Sequence, residues 1–326
     1  MKQIVVITTG GTIAMAADES SGSVLPQGSE ALQDVIPLLE KVAHVSMEHF
    51  LNLPSPHITP LDMYTISLRI KELLQSPEVD GVVITHGTDT LEETAYYLDL
   101  VLASEKPVVL TGAMRSQDEL GADGPPNLVH AVRTAAHDRS KNRGVLVVFN
   151  DEIHAASQVT KTHTSNLATF RSPSQGPIGA VTKRDILYHR SVDRCPPFPL
   201  KKPASRVDLI KATAGSDDLL IRASLDAGAE GLVIEAFGAG NLPPLMLPGL
   251  KEAIARRIPI VLVSRCYNGF VEDTYGYEGG GSHLKKLGLI FSNGLNGQKA
   301  RILLLAALQQ STDPEELHQL FQRSSK

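Results

Sequence analysis

The chain opens on a short apolar run that constrains its fold more than any other feature. Residues 4–7 are Ile-Val-Val-Ile, and a Thr-Thr-Gly-Gly-Thr turn follows at 8–12. A continuous run without polar alternation is typical of a strand buried on both faces, as in a parallel sheet. Gly10 and Gly11 tolerate φ > 0 and let a ligand approach the backbone closely. Since ligands bind at the carboxyl ends of strands in open α/β sheets, we expect Thr12 to lie at a site.

A second turn of the same kind follows the apolar residues 82–84. It reads Thr-His-Gly-Thr-Asp-Thr over 85–90, so Thr88 and Asp89 also stand at a strand end. Taken alone, Gly-Gly-Thr more often forms an ordinary tight turn, and it lacks the spacing of a phosphate-binding loop. Two strand ends that both offer threonine hydroxyls predict one shared pocket.

Strands and helices alternate over the first 150 residues, which predicts parallel βαβ units with right-handed crossovers. The predicted helices are 29–43, 60–74 and 91–103. A rigid turn at 123–127 leads into a fourth helix, which runs through 136. Further strands are predicted at 45–52, 107–110 and 144–149. The polar stretch 18–27 favours a mobile loop that closes over Thr12 as a lid.

Three prolines among basic residues at 191–202 indicate a linker between two domains. A second alternation follows, with helices predicted at 218–227, 247–256, 297–307 and 314–323 and strands at 231–234 and 258–263. The sequence therefore predicts an N-terminal catalytic domain (1–190), a linker (191–210) and a C-terminal α/β domain (211–326).

Composition limits the class of partner and the compartment. The 326 residues are 42% hydrophobic and 21% charged with a net charge of −5, so neither nucleic acid nor an anionic membrane is an expected partner. No apolar run approaches the roughly 20 residues of a membrane span. Cys195 and Cys266 have neither disulfide-framework nor metal-site spacing, which fits a reducing compartment. Because an apolar strand follows Met1 directly, we expect no secretory leader and a cytoplasmic protein.

Motifs along nearly the whole chain resemble those of the bacterial-type L-asparaginase family. They are Thr9-Gly10-Gly11-Thr12-Ile13-Ala14, Thr85-His86-Gly87-Thr88-Asp89-Thr90, Thr111-Gly112-Ala113-Met114-Arg115, Ala122-Asp123-Gly124-Pro125, Asn142-Arg143-Gly144-Val145, Val159-Thr160-Lys161-Thr162, Gly240-Asn241 and Leu295-Asn296-Gly297-Gln298-Lys299-Ala300-Arg301. The resemblance implies hydrolysis of L-asparagine to L-aspartate and ammonia without a cofactor. It also implies a doubly wound, mainly parallel N-terminal sheet, a smaller α/β C-terminal domain, and a homotetramer built from intimate dimers.

Amide hydrolysis needs a nucleophile, an oxyanion stabiliser and a proton route to the leaving amine. A threonine hydroxyl becomes a good nucleophile only when a base takes its proton. By resemblance Thr12 attacks the substrate, while Thr88, Asp89 and Lys161 form the second catalytic group.

The resemblance also implies the substrate-binding residues. Asp89 binds the α-ammonium, and Ser55 with the Gly87 backbone binds the α-carboxylate. The carbonyl of Ala113 accepts from the side-chain amide. Asn241 and Glu278, or Glu272 in place of Glu278, reach the α-amino end from a neighbouring subunit.

Two residues depart from the family pattern. No tyrosine occurs between Thr12 and Tyr64, where many members carry the loop tyrosine that activates the first threonine. Without that tyrosine there are two alternatives. Either Thr12 is activated through Lys161 and Thr88, or turnover is slow. Pro56 stands where the better-known secreted enzymes have glutamine, and we expect weak or no glutaminase activity.

Three other interpretations stay open at this stage. A catalytically weak amino-acid-binding or sensor protein on the same fold is one. The glutamine-deamidating subunit of a tRNA amidotransferase is another, although that subunit usually carries an extra N-terminal domain. A metal hydrolase is disfavoured, because none of the 11 histidines has His-x-x-x-His or His-Glu-x-x-His spacing. No metal site is predicted, and we interpret His86 and His163 as structural hydrogen-bonding residues.

Overall fold

The computed structural model describes residues 1–17, 24–26 and 35–324. It divides into two compact units, Met1–Pro197 and Phe198–Lys326. The domain and linker boundaries predicted from the sequence stay a prediction, although regular structure already begins at Val207, inside the predicted linker.

The N-terminal unit is built around one eight-stranded sheet. In the described residues, the strands of this unit are β1 (Gln3–Thr8), β2 (Met15–Ala17), β3 (Val24–Pro26), β4 (His44–His49), β5 (Gly81–Thr85), β6 (Val108–Thr111), β7 (Val145–Phe149), β8 (Glu152–Ala155), β9 (Thr160–Lys161), β10 (Phe170–Arg171), β11 (Gly179–Val181) and β12 (Ile186–Tyr188). The helices are α1 (Ile36–Leu39), α2 (Pro60–Gln75), α3 (Leu91–Val101) and α4 (Gly124–Ala136). The order of the sheet is β12-β11-β8-β7-β6-β5-β1-β4.

The five strands from β4 to β7 in this order run parallel, whereas β8, β11 and β12 join antiparallel. Helices α1 and α4 pack on one face with Ile4, Val6 and Val83. Because side chains alternate along a strand, Val5 and Ile7 face the side on which α2 and α3 pack. The doubly wound, mainly parallel sheet predicted from the sequence is confirmed.

The C-terminal unit repeats this design at smaller size. Its strands are β13 (Val207–Lys211), β14 (Gly231–Ala236), β15 (Ile260–Ser264) and β16 (Ile290–Phe291), and its helices are α5 (Leu219–Asp226), α6 (Leu247–Ala255), α7 (Gly281–Lys286), α8 (Gly297–Leu308) and α9 (Pro314–Ser324). The four strands form a parallel sheet in the order β13-β14-β15-β16. The smaller α/β domain predicted from the sequence is therefore present.

Local signals explain where several helices begin. Thr59 and Asp62 form a reciprocal capping box at α2, with hydrogen bonds of 2.8 and 3.3 Å. At α4 the predicted rigid turn 123–127 is instead the first turn of the helix, because proline is tolerated there without an N–H.

Two predictions near the first turn, a helix over 29–43 and a mobile loop over 18–27, fall partly outside the described residues and need correction where they are described. The helix predicted over 29–43 is only Ile36–Leu39 where it is described, and residues 29–34 lie outside the described ranges. Within the predicted loop 18–27, Val24–Pro26 is a strand paired with Met15–Ala17. The prediction of a mobile lid falls on residues 18–23 and 27, which are not described.

Candidate active site

The two threonine turns meet at the carboxyl edge of the N-terminal sheet. Strands β1 and β5 are parallel neighbours with Thr8 opposite Thr85, so both turns leave the sheet at the same edge. Gly10 and Gly11 have φ values of +103° and +83°. A Cβ atom placed on Gly11 would lie 2.4 Å from the Gly87 backbone. The turns that carry Thr12 and Thr88 are therefore in direct backbone contact, which only glycine permits.

The loop that contains Ser55 completes this edge. The Leu53 N–H donates to the Thr9 carbonyl at 3.0 Å, which ties the loop to the first turn. The buried Ser55 hydroxyl accepts from the Asp89 N–H at 3.2 Å, and the Thr90 hydroxyl donates to the Ser55 carbonyl at 2.8 Å. Three segments that are distant in sequence thus converge on one place.

Lys161 contacts the second turn from β9, which lies outside the eight-stranded sheet. Its Nζ donates to Thr88 Oγ1 at 2.8 Å and to Asp89 Oδ1 at 2.7 Å. Thr88 is buried, the Lys161 side chain is 17% exposed and the Asp89 side chain is 58% exposed. An amine on a buried hydroxyl, beside a carboxylate that solvent can reach, suits proton transfer and binding of a cationic group.

His86 fixes the backbone just before Thr88. Its imidazole is fully buried, with Nδ1 2.8 Å from the Gly87 carbonyl and Nε2 2.9 Å from the Thr94 hydroxyl. Burial lowers the pKa of His86 to about 4, while the contact with the Gly87 carbonyl opposes that shift. The neutral ring donates through Nδ1 and accepts through Nε2, as expected for a structural residue.

The turn after β6 is held by a buried polar network that sequence reasoning missed. Asp123 accepts the N–H groups of Met114 and Arg115 at 3.0 and 2.9 Å. Asn127 donates to Asp123 and to the Gly112 carbonyl, each at 3.0 Å. The network fixes the peptide around Ala113, and the signal for it was the Asp-Gly-Pro motif at the start of α4.

The predicted site residues fall into two groups. The N-terminal unit brings together Thr12, Ser55, Gly87, Thr88, Asp89 and Lys161, and Ala113 lies beside them because a Cβ on Gly124 would contact both Ile13 and Ala113. Asn241 and Glu278 belong to the C-terminal unit. There the Asn241 side chain accepts from the Gly281 N–H at 3.3 Å, and Glu278 is exposed.

No group of three or more His, Cys, Asp or Glu side chains among the described residues is arranged to hold a metal ion. Over the same residues, no helix has the length and apolarity needed to cross a membrane. Cys195 and Cys266 are not joined in a disulfide.

Two family models match the chain in order. Residues 3–194 match "Asparaginase, N-terminal" and residues 206–321 match "Glutaminase/Asparaginase C-terminal domain". The chain belongs to the asparaginase family. It is 38% identical over 330 residues to L-asparaginase 2 of Escherichia coli (strain K12), covering 98% of this chain and 93% of that protein.

Other family members extend the comparison. The glutaminase-asparaginase of Acinetobacter glutaminasificans is 33% identical over 339 residues, with 98% of each chain covered. The crystal structure of a probable cytoplasmic L-asparaginase from Campylobacter jejuni superposes with a TM-score of 0.89 at 33% identity, covering 99% of this chain and 100% of that one. This family member therefore has both asparaginases and glutaminase-asparaginases among its relatives.

Proposed function

We propose that this asparaginase-family protein hydrolyses L-asparagine to L-aspartate and ammonia, with weak or no glutaminase activity. The observation that carries the proposal is the convergence of the Thr12 and Thr88 turns, with the Lys161 amine 2.8 Å from the second hydroxyl. No observation favours the sensor alternative.

In the proposed reaction Thr12 Oγ1 attacks the carboxamide carbon of the substrate. Its proton passes to a base and from there to the leaving nitrogen, which departs as ammonia. Water then cleaves the aspartyl ester on Thr12, which releases aspartate and restores the hydroxyl. Backbone N–H groups at the glycine-threonine turns are the proposed oxyanion donors, each worth about 2.7–4 kcal/mol.

Lys161 is the proposed proton acceptor, acting through the Thr88 hydroxyl. Its amine faces the Asp89 carboxylate at 2.7 Å. A substrate ammonium bound to Asp89 would share the negative charge that the Lys161 amine now faces. This route activates Thr12 without a loop tyrosine. A Lys161→Met variant that kept most of its kcat would contradict it.

Ser55, Gly87 and Ala113 are proposed to hold the α-carboxylate and the side-chain amide. Asn241 and Glu278 are proposed to reach the α-amino end from a neighbouring subunit of a homotetramer, a dimer of intimate dimers. Light scattering tests the tetramer. Raised KM in Glu278→Gln but not in Glu272→Gln supports the first assignment, and the reverse result supports the second.

A cytoplasmic location is proposed because Cys195 and Cys266 form no disulfide, and cell fractionation tests it.

Ammonia release by the purified full chain tests the function. We expect turnover of L-asparagine and a kcat/KM for L-glutamine at least about tenfold lower, because Pro56 offers no side-chain donor. D-Asparagine serves as the stereochemical comparison. No ammonia from any of the three amides, together with tight amino-acid binding, would establish the sensor interpretation instead.

A further inference from the structure

Lys161 does not lie in the main sheet. It ends β9, a two-residue strand that pairs with β10 in a hairpin, with Lys161 opposite Phe170. The hairpin is closed by its own contacts, since the N–H and the hydroxyl of Thr162 both donate to the Thr169 carbonyl, each at 2.8 Å. The position of the Lys161 amine therefore depends on how the base of the hairpin is attached to the sheet.

A buried histidine lies at that base. His154, on β8 of the main sheet, is fully buried, and its Nδ1 is 3.0 Å from the hydroxyl of Ser172, which directly follows β10. The two residues are 18 positions apart, so their contact joins the segment before the hairpin to the segment after it. Close by, the Phe170 ring packs on Phe149 of β7 with centroids 4.7 Å apart.

Glu152 lies beside the other nitrogen of the His154 ring. Its Oε2 lies 3.3 Å from His154 Nε2, at a distance suited to an electrostatic contact but without good hydrogen-bond geometry. The contact with His154 lowers the pKa of Glu152, and burial opposes this shift. We assign the ring proton to Nε2, where it faces the carboxylate, so that Nδ1 accepts from the Ser172 hydroxyl. This tautomer leaves the histidine and serine paired inside the fold.

We propose that His154, through Ser172, is a positioning residue that holds the Lys161 hairpin so that the Lys161 amine meets Thr88. The inference rests on the proposed amide hydrolysis and adds a residue outside the substrate pocket. It requires that loss of the His154–Ser172 contact reduces kcat more than it changes substrate binding, because the displaced group acts on the reacting threonine.

Replacement of His154 by Gln or by Asn distinguishes the roles of its two ring nitrogens. His154→Gln places an amide near the Nε2 position and loses the contact with Ser172, whereas His154→Asn places an oxygen near the Nδ1 position and keeps it. We expect His154→Gln and Ser172→Ala to lower kcat for L-asparagine by about tenfold or more, with KM changed less than about threefold. His154→Asn should stay within about twofold of the wild type.

His137→Gln is the matched control. His137 likewise places one nitrogen 3.2 Å from a carboxylate, that of Asp185, and accepts an N–H with the other, but it caps the far end of α4. We expect its kcat to match the wild type, with Tm measured for every variant. If His154→Gln does not fold, Ser172→Ala, which deletes one oxygen, carries the test. Equal kcat for His154→Gln and His154→Asn, or for His154→Gln and His137→Gln, would overturn the proposal.

A double-mutant cycle shows whether the effect passes through Lys161. In a Lys161→Met background, His154→Gln should lower the residual activity by less than about twofold, because the group that it positions is already gone. Multiplicative losses would show that His154 acts by another route. An inactive wild type would instead contradict the proposed hydrolysis, so the two failures are distinguishable.

Discussion

The turns after β1 and β5 have similar sequences but different surroundings. Thr88 is buried, receives the Lys161 amine at 2.8 Å and leads directly into α3. Thr12 is half-buried and begins a short 3₁₀ turn, Thr12–Ala14, that leads into the β2–β3 hairpin. The two threonine hydroxyls therefore differ in their surroundings. The Thr88 hydroxyl is held by the Lys161 amine, whereas the Thr12 hydroxyl is more accessible to a substrate.

The largest expected effect concerns the proposed roles of the two threonines, and it can contradict the assignment of Thr12 as the attacking residue. Thr12→Ala should lower kcat by on the order of 10⁴-fold or more, because it removes the oxygen that we propose attacks the substrate. Mass spectrometry of acid-quenched enzyme should find an aspartyl ester on Thr12 in the wild type and in Thr12→Ser. An ester on Thr88 would show that the two turns have exchanged roles.

Separation of the two turns gives the next largest effect. Gly11→Ala places a methyl group against the Gly87 backbone at a φ of +83°, so strain and overlap add. We expect the free energy of unfolding to fall by about 2–5 kcal/mol in urea titrations, with loss of activity.

Gly215→Ala is the control for backbone strain alone. Gly215 has a φ of +80° and no atom within 4 Å of an added Cβ. Gly215→Ala should lower the free energy of unfolding by about 1–2 kcal/mol. Equal losses in the two variants would mean that the close approach of the turns contributes little.

The smallest expected effect is the loss of stability in acid that is due to His86, the residue before Gly87 in the second turn. The unfolded His86 takes up a proton below about pH 6.5, whereas the folded residue takes one up only near pH 4. Its contribution to stability is therefore complete above pH 6.5 and is lost as the pH falls toward 4, by up to about 3 kcal/mol.

His86→Asn keeps a donor for the Gly87 carbonyl and removes the titration. Urea titrations between pH 7 and pH 4 should show a shallower fall in stability for this variant than for the wild type. Parallel curves would mean that other groups account for the acid sensitivity.

Several parts of the molecule could be predicted because their signals are local. The apolar run before each turn and the glycines within the turn placed Thr12 and Thr88 at strand ends, and the spacing of apolar residues located α2. The strands β8, β11 and β12 were missed because they have three or four residues each and depend on antiparallel partners elsewhere in the chain. The two-residue strands of the Lys161 hairpin were missed for the same reason.

The sequence by itself determined the strand-turn units, the residue types that they present and, through its motifs, the family. Only the tertiary structure decided that Gly11 meets Gly87, and that the Lys161 amine reaches a hydroxyl 73 residues earlier. The physical reason is that short-range preferences fix the backbone of each turn, whereas contacts between turns depend on sheet order and on the absence of side chains where backbones touch.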